Sequence, residues 1–118
     1  METKIVKTPI TQSELLAMAL EEFGNVVKAV VDVEQKIMAV GGELHADEEV
    51  LLSESENSKR ENTWGINIYP KNQESEWIEF DSMINLKPNL GNLSRDVESN
   101  ETKELIKEVV RSLIKKNE

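Results

Sequence analysis

The sequence contains no cysteine and only one histidine, His45, among its 118 residues. Disulfides and thiolate metal ligands are therefore excluded, and any metal would be held by carboxylates, carbonyl groups or His45. The most frequent catalytic dyads and triads, which use Cys or His, are therefore nearly excluded. A Ser–His–Asp triad would have to use the imidazole of His45. No nucleophile elbow, metalloprotease helix or dinucleotide-binding motif is present either. The sequence therefore gives no support for catalysis, and it leaves open whether the protein is an enzyme.

Long apolar runs are also absent, and the first residues lead into no apolar signal segment. A cytoplasmic protein without membrane contact is predicted. Positive charge is scarce as well, with 14 Lys and Arg against 23 Asp and Glu and a formal charge of −9. Residues 43–81 alone contain eleven acidic and three basic side chains, a net charge of −8. The negative electrostatic field of this segment repels the phosphate backbones of nucleic acids and attracts basic partners, so nucleic-acid binding is not expected.

The length of 118 residues is usual for one domain, and residues 1–118 are expected to fold as a single unit. Two amphipathic helices are predicted, one near each end. Thr11 and Glu14 form a capping box, and Gly24 provides a left-handed stop, which together predict a helix over residues 11–23. A second apolar stripe at helical spacing predicts a helix from about residue 100 to Lys116.

Strands are predicted between these helices at residues 26–33, 37–40, 64–70 and 77–86, with a short edge strand at 5–7. The fold class expected is α+β, a four- to five-stranded antiparallel meander with the N-terminal and C-terminal helices packed on one face. Gly41 and Gly42 suggest a bulge or a close backbone approach. Residues 43–53 are ambiguous between a strand and a short helix or turn capped by Asp47, with the helix or turn favoured.

Three segments carry a resemblance to a known family. They read GGELHAD at residues 41–47, WGINIYP at 64–70 and EFDSMIN at 79–85. Together they resemble a family of small prokaryotic proteins that is known only as a domain of unknown function, over roughly residues 26–114. The resemblance implies a self-contained domain and supplies no activity, substrate or catalytic residue.

Aromatic side chains are few, and both Trp residues, one of the two Phe and the only Tyr fall between residues 64 and 80. Strand alternation places Trp64, Ile66 and Ile68 toward the helices and leaves other residues on the opposite, solvent-facing side of the sheet. A sheet face with aromatic, amide and carboxylate groups can bind peptides, sugars or bases, although a merely solvated face is the simpler alternative. The predicted ligand-binding residues are Asn67, Tyr69, Trp77, Asp81 and Asn85.

A second candidate site lies in the acidic segment after the glycine pair. Asp47, Glu48 and Glu49, with Glu43 as an additional candidate, can hold a hard divalent cation through carboxylate oxygens. The segment lacks the alternating acidic loop of an EF-hand, and the simpler interpretation is a helix N-terminus with favourable acidic residues. In the loop of residues 88–95, Arg95 is expected to pair with nearby acids rather than to bind an anion.

The function expected from these features is that of a small cytoplasmic binding or interaction domain that uses the sheet face. Its partner would be another protein or a small polar ligand, with no cofactor. A monomer, or a weak homodimer through an unpaired sheet edge, is expected. The alternative is a divalent-cation-binding protein or a cation-dependent hydrolase that uses residues 43–49.

Overall fold

The computed structural model describes residues 3–116. Within them, three helices surround a five-stranded antiparallel sheet, and a two-stranded parallel ladder joins the two ends of the chain. The predicted α+β class is therefore confirmed. In chain order the elements are β1 (Lys4–Val6), β2 (Ile10–Thr11), α1 (Gln12–Glu22), β3 (Val27–Asp32), β4 (Ile37–Val40), α2 (His45–Glu56), β5 (Thr63–Ile68), β6 (Ile78–Glu79), α3 (Asn100–Leu113) and β7 (Ile114–Lys115).

The sheet has the strand order β1-β4-β3-β5-β6. A simple meander would place β4 beside β5, whereas here β3 is central and pairs with both of them. The connection from β4 to β5 runs through α2, which packs over β3 and β4. Since β3 is almost entirely buried, the central position shields both of its edges and both of its faces. The burial of β3 on both edges and both faces explains why β3 is central and why the strand order differs from the predicted meander.

The terminal helices cover one face of the sheet, as predicted. The Thr11–Glu14 capping box forms, and α1 buries Leu15 and Ala19 against the sheet. α3 begins after Ser99, whose hydroxyl accepts a bond from the Thr102 amide. The two terminal helices and the sheet face that they cover form the first hydrophobic core. Its sheet residues include Val27, Ala29, Val31, Met38, Val40, Trp64, Ile66 and Ile68.

The opposite face of the sheet is also covered, and the prediction that it faces solvent is wrong. α2 and a 3-10 turn at Met83–Asn85 pack on it. The second core consists of Val30, Ile37, Ala39, Leu52 and Ile84. β3 and β4 carry apolar side chains on both faces, which is typical of strands that are buried on both sides. Ile84 therefore lies beneath α2 rather than beneath the terminal helices.

Two predicted elements are shorter than expected. β6 ends at Glu79, because Ser82 accepts a bond from the Ile84 amide and starts the 3-10 turn that replaces the rest of the strand. The last helix ends at Leu113 rather than at Lys116, because residues 114–115 pair in parallel with β2. No helix in the described part of the chain is long and apolar enough to cross a membrane.

Candidate functional site

The three motif segments meet on the sheet face beneath α2. His45, from the first motif, bonds the Ile66 carbonyl of the second, with 2.8 Å between its Nε2 atom and that oxygen. The Asn67 amide donates to Glu79 Oε1 of the third motif at 2.9 Å. These contacts gather a set of polar side chains at the end of the sheet near the start of α2. The set, called the α2-face cluster below, consists of His45, Glu48, Asn67, Tyr69, Glu79, Asp81 and Arg95.

Glu48 is the most deeply placed member of the cluster, with an exposed fraction of 0%. Its Oε2 atom accepts a bond from the Gly42 amide at 3.0 Å, and its Oε1 atom has no hydrogen-bond partner within residues 3–116. Burial raises the pKa of this carboxyl group to about 9. At neutral pH the side chain is therefore protonated and uncharged.

Gly42 makes this arrangement possible. A Cβ atom at residue 42 would lie 2.8 Å from Glu48 Cγ, closer than side chains normally approach. The glycine therefore lets the backbone come within bonding distance of the Glu48 carboxyl group. The predicted close backbone approach at the glycine pair is confirmed at Gly42, while Gly41 adopts a left-handed turn with φ 86°.

His45 lies one helical turn before Glu48 and is likewise buried. Its Nε2 atom faces a carbonyl oxygen, which only accepts, so Nε2 carries the proton and donates it to Ile66. Burial lowers the pKa of the imidazole, although the bond to the Ile66 carbonyl opposes that shift. The ring is therefore neutral at pH 7, with Nδ1 unprotonated.

The state of His45 can be measured directly, because the protein has a single histidine. We expect its imidazole signals in a pH titration by NMR to give a pKa below 6.5, with nitrogen shifts of the Nε2–H tautomer at neutral pH. Because the folded-state pKa is depressed, the contribution of His45 to stability is complete above about pH 6.5 and declines as the pH falls further. A pKa at or above 6.5, or the Nδ1–H tautomer, would contradict this assignment.

Asn67 carries the unusual feature of the cluster. Its Nδ2 atom donates to Glu79 Oε1 and, more weakly, to the Asp81 carbonyl at 3.5 Å. Its Oδ1 atom is buried and has no hydrogen-bond partner among the described residues. The reverse orientation of the amide would set its oxygen against the Glu79 carboxylate, so the observed orientation is the favourable one. A buried acceptor is thus left without a donor.

Tyr69 and Arg95 complete the cluster from two sides. The Tyr69 hydroxyl donates to Glu79 Oε1 at 2.9 Å, and burial together with that bond raises the pKa of the phenol. Arg95 Nε donates to Asp81 Oδ1 at 2.5 Å, which confirms the expectation that Arg95 pairs with a nearby acid. About half of each side chain in this pair is exposed, 53% for Arg95 and 45% for Asp81, so solvent and other ions compete for it.

Two predicted site residues are structural. Trp77 is 2% exposed and belongs to the first core, where its Nε1 atom donates to the Asn72 carbonyl at 2.7 Å. The prediction that Trp77 faces outward is wrong. Trp77 follows a 3-10 turn and itself has helical backbone angles, φ −67° and ψ −38°, so strand alternation does not apply to it. Asn85 is fully buried and bonds the backbone of Gly65 and Arg95, so it is not on an open surface.

The predicted metal ligands do not converge. Glu48 points inward to Gly42, whereas Glu49 bonds Arg60 at 3.2 Å and lies 3.4 Å from the Thr63 hydroxyl. Asp47 is exposed and is not the N-cap, since α2 already begins at His45. Three consecutive helical residues project in directions about 100° apart, which prevents their carboxylates from sharing one ion. Within residues 3–116, no group of three or more His, Asp or Glu side chains is placed to hold a metal.

The site predicted from the sequence did not include His45, which bonds the residue before Asn67, and it assigned Glu48 to a metal rather than to the Gly42 backbone. The three-residue spacing of His45 and Glu48 puts them on one face of α2, and the preceding glycine pair marked the backbone that Glu48 approaches. The pattern could have shown that they lie together. It could not show that α2 lies on the same sheet face as Asn67, because that depends on tertiary packing.

The fold and the cluster together define a small α+β domain with a partly buried polar centre between a helix and its sheet. Over residues 4–113 the chain matches the model of the family described as "Protein of unknown function (DUF5674)", and it belongs to that family. The match covers nearly the whole chain and extends further toward the N-terminus than the resemblance in residues 26–114. Comparisons with curated proteins and with solved structures found no match.

Proposed function

We propose that this protein is a binding domain whose α2-face cluster receives the guanidinium or ammonium group of a basic segment of a partner protein. The observation that carries the proposal is the buried Asn67 Oδ1 atom, which has no hydrogen-bond donor within residues 3–116. A buried acceptor without a partner costs about 1–3 kcal/mol, and a ligand that supplies an N–H group removes that cost.

The neighbouring side chains support a donor as the ligand. The Tyr69 hydroxyl donates its one proton to Glu79 Oε1, and the two N–H groups of the Asn67 amide face Glu79 Oε1 and, more weakly, the Asp81 carbonyl. Apart from the Arg95 guanidinium, which pairs with Asp81, this side of the cluster consists of acceptors, namely the buried Asn67 oxygen and the Glu79 and Asp81 carboxylates. The formal charge of −9 adds a long-range attraction for basic partners.

The Asp81–Arg95 pair gives the ligand a place to enter. Because both side chains are about half exposed, the pair contributes little to stability and can exchange partners. An incoming guanidinium group can take the place of Arg95 on Asp81 and bond the carboxylate in the same way.

Exposed apolar residues beside the cluster favour a protein segment over a small ion. Leu44, which precedes His45, is 58% exposed, and Met83, which follows Asp81 by two residues, is 61% exposed. Interfaces between proteins commonly combine such apolar side chains with a few charged groups at their rim. The prediction of a protein partner is therefore preferred over a small polar ligand.

The test is calorimetric titration with a short peptide that contains Leu, Lys and Arg, compared with the same peptide carrying citrulline and norleucine instead of Arg and Lys. Asp81→Asn, which keeps the shape and removes the charge, is expected to weaken binding of the basic peptide by about 10- to 100-fold. Asp96→Asn is the control, because Asp96 also pairs with a basic residue, Lys103, outside the cluster. Equal binding of the two peptides, or an unchanged affinity in Asp81→Asn, would refute the proposal.

Other expectations remain predictions of the sequence. These are a cytoplasmic location, a prokaryotic origin, and a monomer or weak homodimer. Binding of a divalent cation by residues 43–49 has no geometric support, since those carboxylates diverge.

A further inference from the structure

A cavity that shares no residue with the α2-face cluster lies beside the start of α3. Its volume is about 540 Å³, within the range of about 300–1,000 Å³ that is common for small-molecule sites. Trp64, Val33 and Leu90 supply its apolar lining. Leu90 is 47% exposed, so its side chain is available to contact a ligand. The cavity therefore offers an apolar surface to a molecule of moderate size.

The loop on one side of this cavity is held in place by Asn92, which is 5% exposed. Its Nδ2 atom donates to the carbonyls of Asn85 and Asp96, each at 2.7 Å. Its Oδ1 atom accepts a bond from the backbone amide of Glu98 at 2.8 Å. The loop therefore keeps its shape through its own hydrogen bonds, and a ligand does not have to order it on binding.

Two carboxylates line the cavity, and each has an oxygen available to a further donor. Glu98 Oε2 accepts bonds from the Leu93 amide at 3.0 Å and the Ser94 hydroxyl at 2.7 Å, which fixes the carboxylate beside the loop. Glu98 Oε1 has no hydrogen-bond partner within residues 3–116. The Glu61 side chain is exposed and makes no hydrogen bond or ion pair with the described part of the chain.

The charge that lines the cavity is entirely negative. None of the described residues that line it is basic. Lys87 Nζ lies 5.0 Å from the centre of the Trp64 ring, but it donates to the Arg60 carbonyl and so neutralises neither carboxylate. Two carboxylates beside an aromatic ring favour a cationic ligand, and the apolar lining favours an organic one.

We propose that this cavity binds a linear aliphatic diamine or triamine. One ammonium group bonds Glu98 Oε1, a second bonds the Glu61 carboxylate, and the methylene chain between them covers Trp64 and Leu90. A metal ion would leave the apolar lining uncovered, and no group of three or more acidic or histidine ligands converges within residues 3–116. The proposal uses none of the residues of the α2-face cluster, so its failure would leave the proposed function unaffected.

The test is an NMR titration of the labelled full-length protein with putrescine and spermidine at constant ionic strength. Both amines are expected to shift the Trp64 indole N–H signal and the Thr102 backbone amide saturably, because both residues line the cavity. The indole of Trp77, which lies outside the cavity, is the internal control. Butylamine has the same carbon chain as putrescine and one charge fewer, so we expect it to bind about three- to tenfold more weakly. Butanediol, which is uncharged, is expected to give no saturable shift.

Two variants test the carboxylates. Glu98→Gln keeps an oxygen that accepts from the Leu93 amide, and Glu61→Gln alters an exposed side chain, so both should leave the rest of the spectrum unchanged. Each is expected to weaken putrescine binding by about three- to tenfold, whereas Glu101→Gln, in the first turn of α3 and outside the cavity, should change it by less than about twofold.

Equal affinities for putrescine and butylamine, an unchanged affinity in Glu98→Gln or Glu61→Gln, or no shift of the Trp64 indole at millimolar amine would overturn the proposal. Shifts confined to the Asn67 side chain would overturn it as well, and they would support cation binding at the α2-face cluster instead.

Discussion

Replacing Asn85 by alanine is expected to lower the free energy of unfolding by about 4 kcal/mol, because buried backbone groups lose their partners. The Gly65 amide donates to Asn85 Oδ1 at 2.8 Å, and Asn85 Nδ2 donates to the Gly65 carbonyl at 2.9 Å. The same Nδ2 atom also donates to the Arg95 carbonyl at 2.9 Å. The Arg95 carbonyl keeps a bond from the Ser82 amide, so the two Gly65 groups are left unsatisfied, each at a cost of about 1–3 kcal/mol.

The large loss of stability expected for Asn85→Ala follows from the early end of β6 at Glu79. β6 pairs only with Asn67 and Ile68, so the edge of β5 at Gly65 has no neighbouring strand. The side-chain amide of Asn85 gives Gly65 one donor and one acceptor and so takes the place of a peptide group there. Gly65 is required as well, because a Cβ atom at that residue would lie 2.6 Å from the Ser82 side chain.

Chemical denaturation of Asn85→Ala measures the loss, with Asn89→Ala as the matched control. Asn89 is exposed, and its replacement is expected to change stability by no more than about 0.5 kcal/mol. Asn85→Asp should also be strongly destabilising, since a carboxylate cannot donate to the Gly65 and Arg95 carbonyls. A loss below about 1 kcal/mol in Asn85→Ala would show that the side chain does not complete the sheet.

Replacing Glu48 by glutamine is expected to stabilise the protein increasingly as the pH rises. The carboxyl pKa is raised from 4.5 to about 9 in the folded state. Between these values the native protein binds a proton that the unfolded chain does not, so the wild type loses about 1.4 kcal/mol of stability per pH unit. That contribution is complete below about pH 4.5 and is lost as the pH rises toward 9.

Glutamine cannot ionise, so Glu48→Gln abolishes this dependence while its amide oxygen still accepts from the Gly42 amide. Denaturation at pH 6, 7 and 8 should therefore show a stability difference between variant and wild type that grows by roughly 1 kcal/mol per unit. Glu54→Gln, an exposed position on the same helix, serves as the control and should show no such growth. A constant difference across this range would mean that Glu48 is already ionised in the native protein.

The sequence predicted the parts of the fold that local patterns control. The capping box at Thr11 and Glu14 located the start of α1, and the β-branched run before Asp32 located β3. It did not predict the covered second face, although Val30 and Ala39 placed apolar residues on that side of the sheet. In a simple meander with the terminal helices on one face, α2 has no sheet surface to cover. The apolar side chains of Val30 and Ala39 were therefore not recognised as part of a second core.

The candidate site was predicted where regular strand geometry holds and missed where it ends. Asn67 is paired with Glu79 in β5 and β6, and the expected grouping of Asn67, Tyr69 and Asp81 is present. Trp77 and Asn85 belong to 3-10 turns or their boundaries, so alternation assigned their directions incorrectly. Such turns depend on single hydrogen bonds rather than on periodic patterns, and a sequence pattern cannot reveal them.

The central claim, that the α2-face cluster binds a cationic group through its free acceptor, is tested most directly by NMR at the Asn67 side chain. The Asn67 side-chain amide and the backbone amides of Asp81 and Arg95 are followed in labelled protein during titration with the basic peptide. Saturable shifts are expected that are largest at these signals and absent with the citrulline and norleucine peptide. Shifts confined to other surfaces, or none at millimolar peptide, would contradict it.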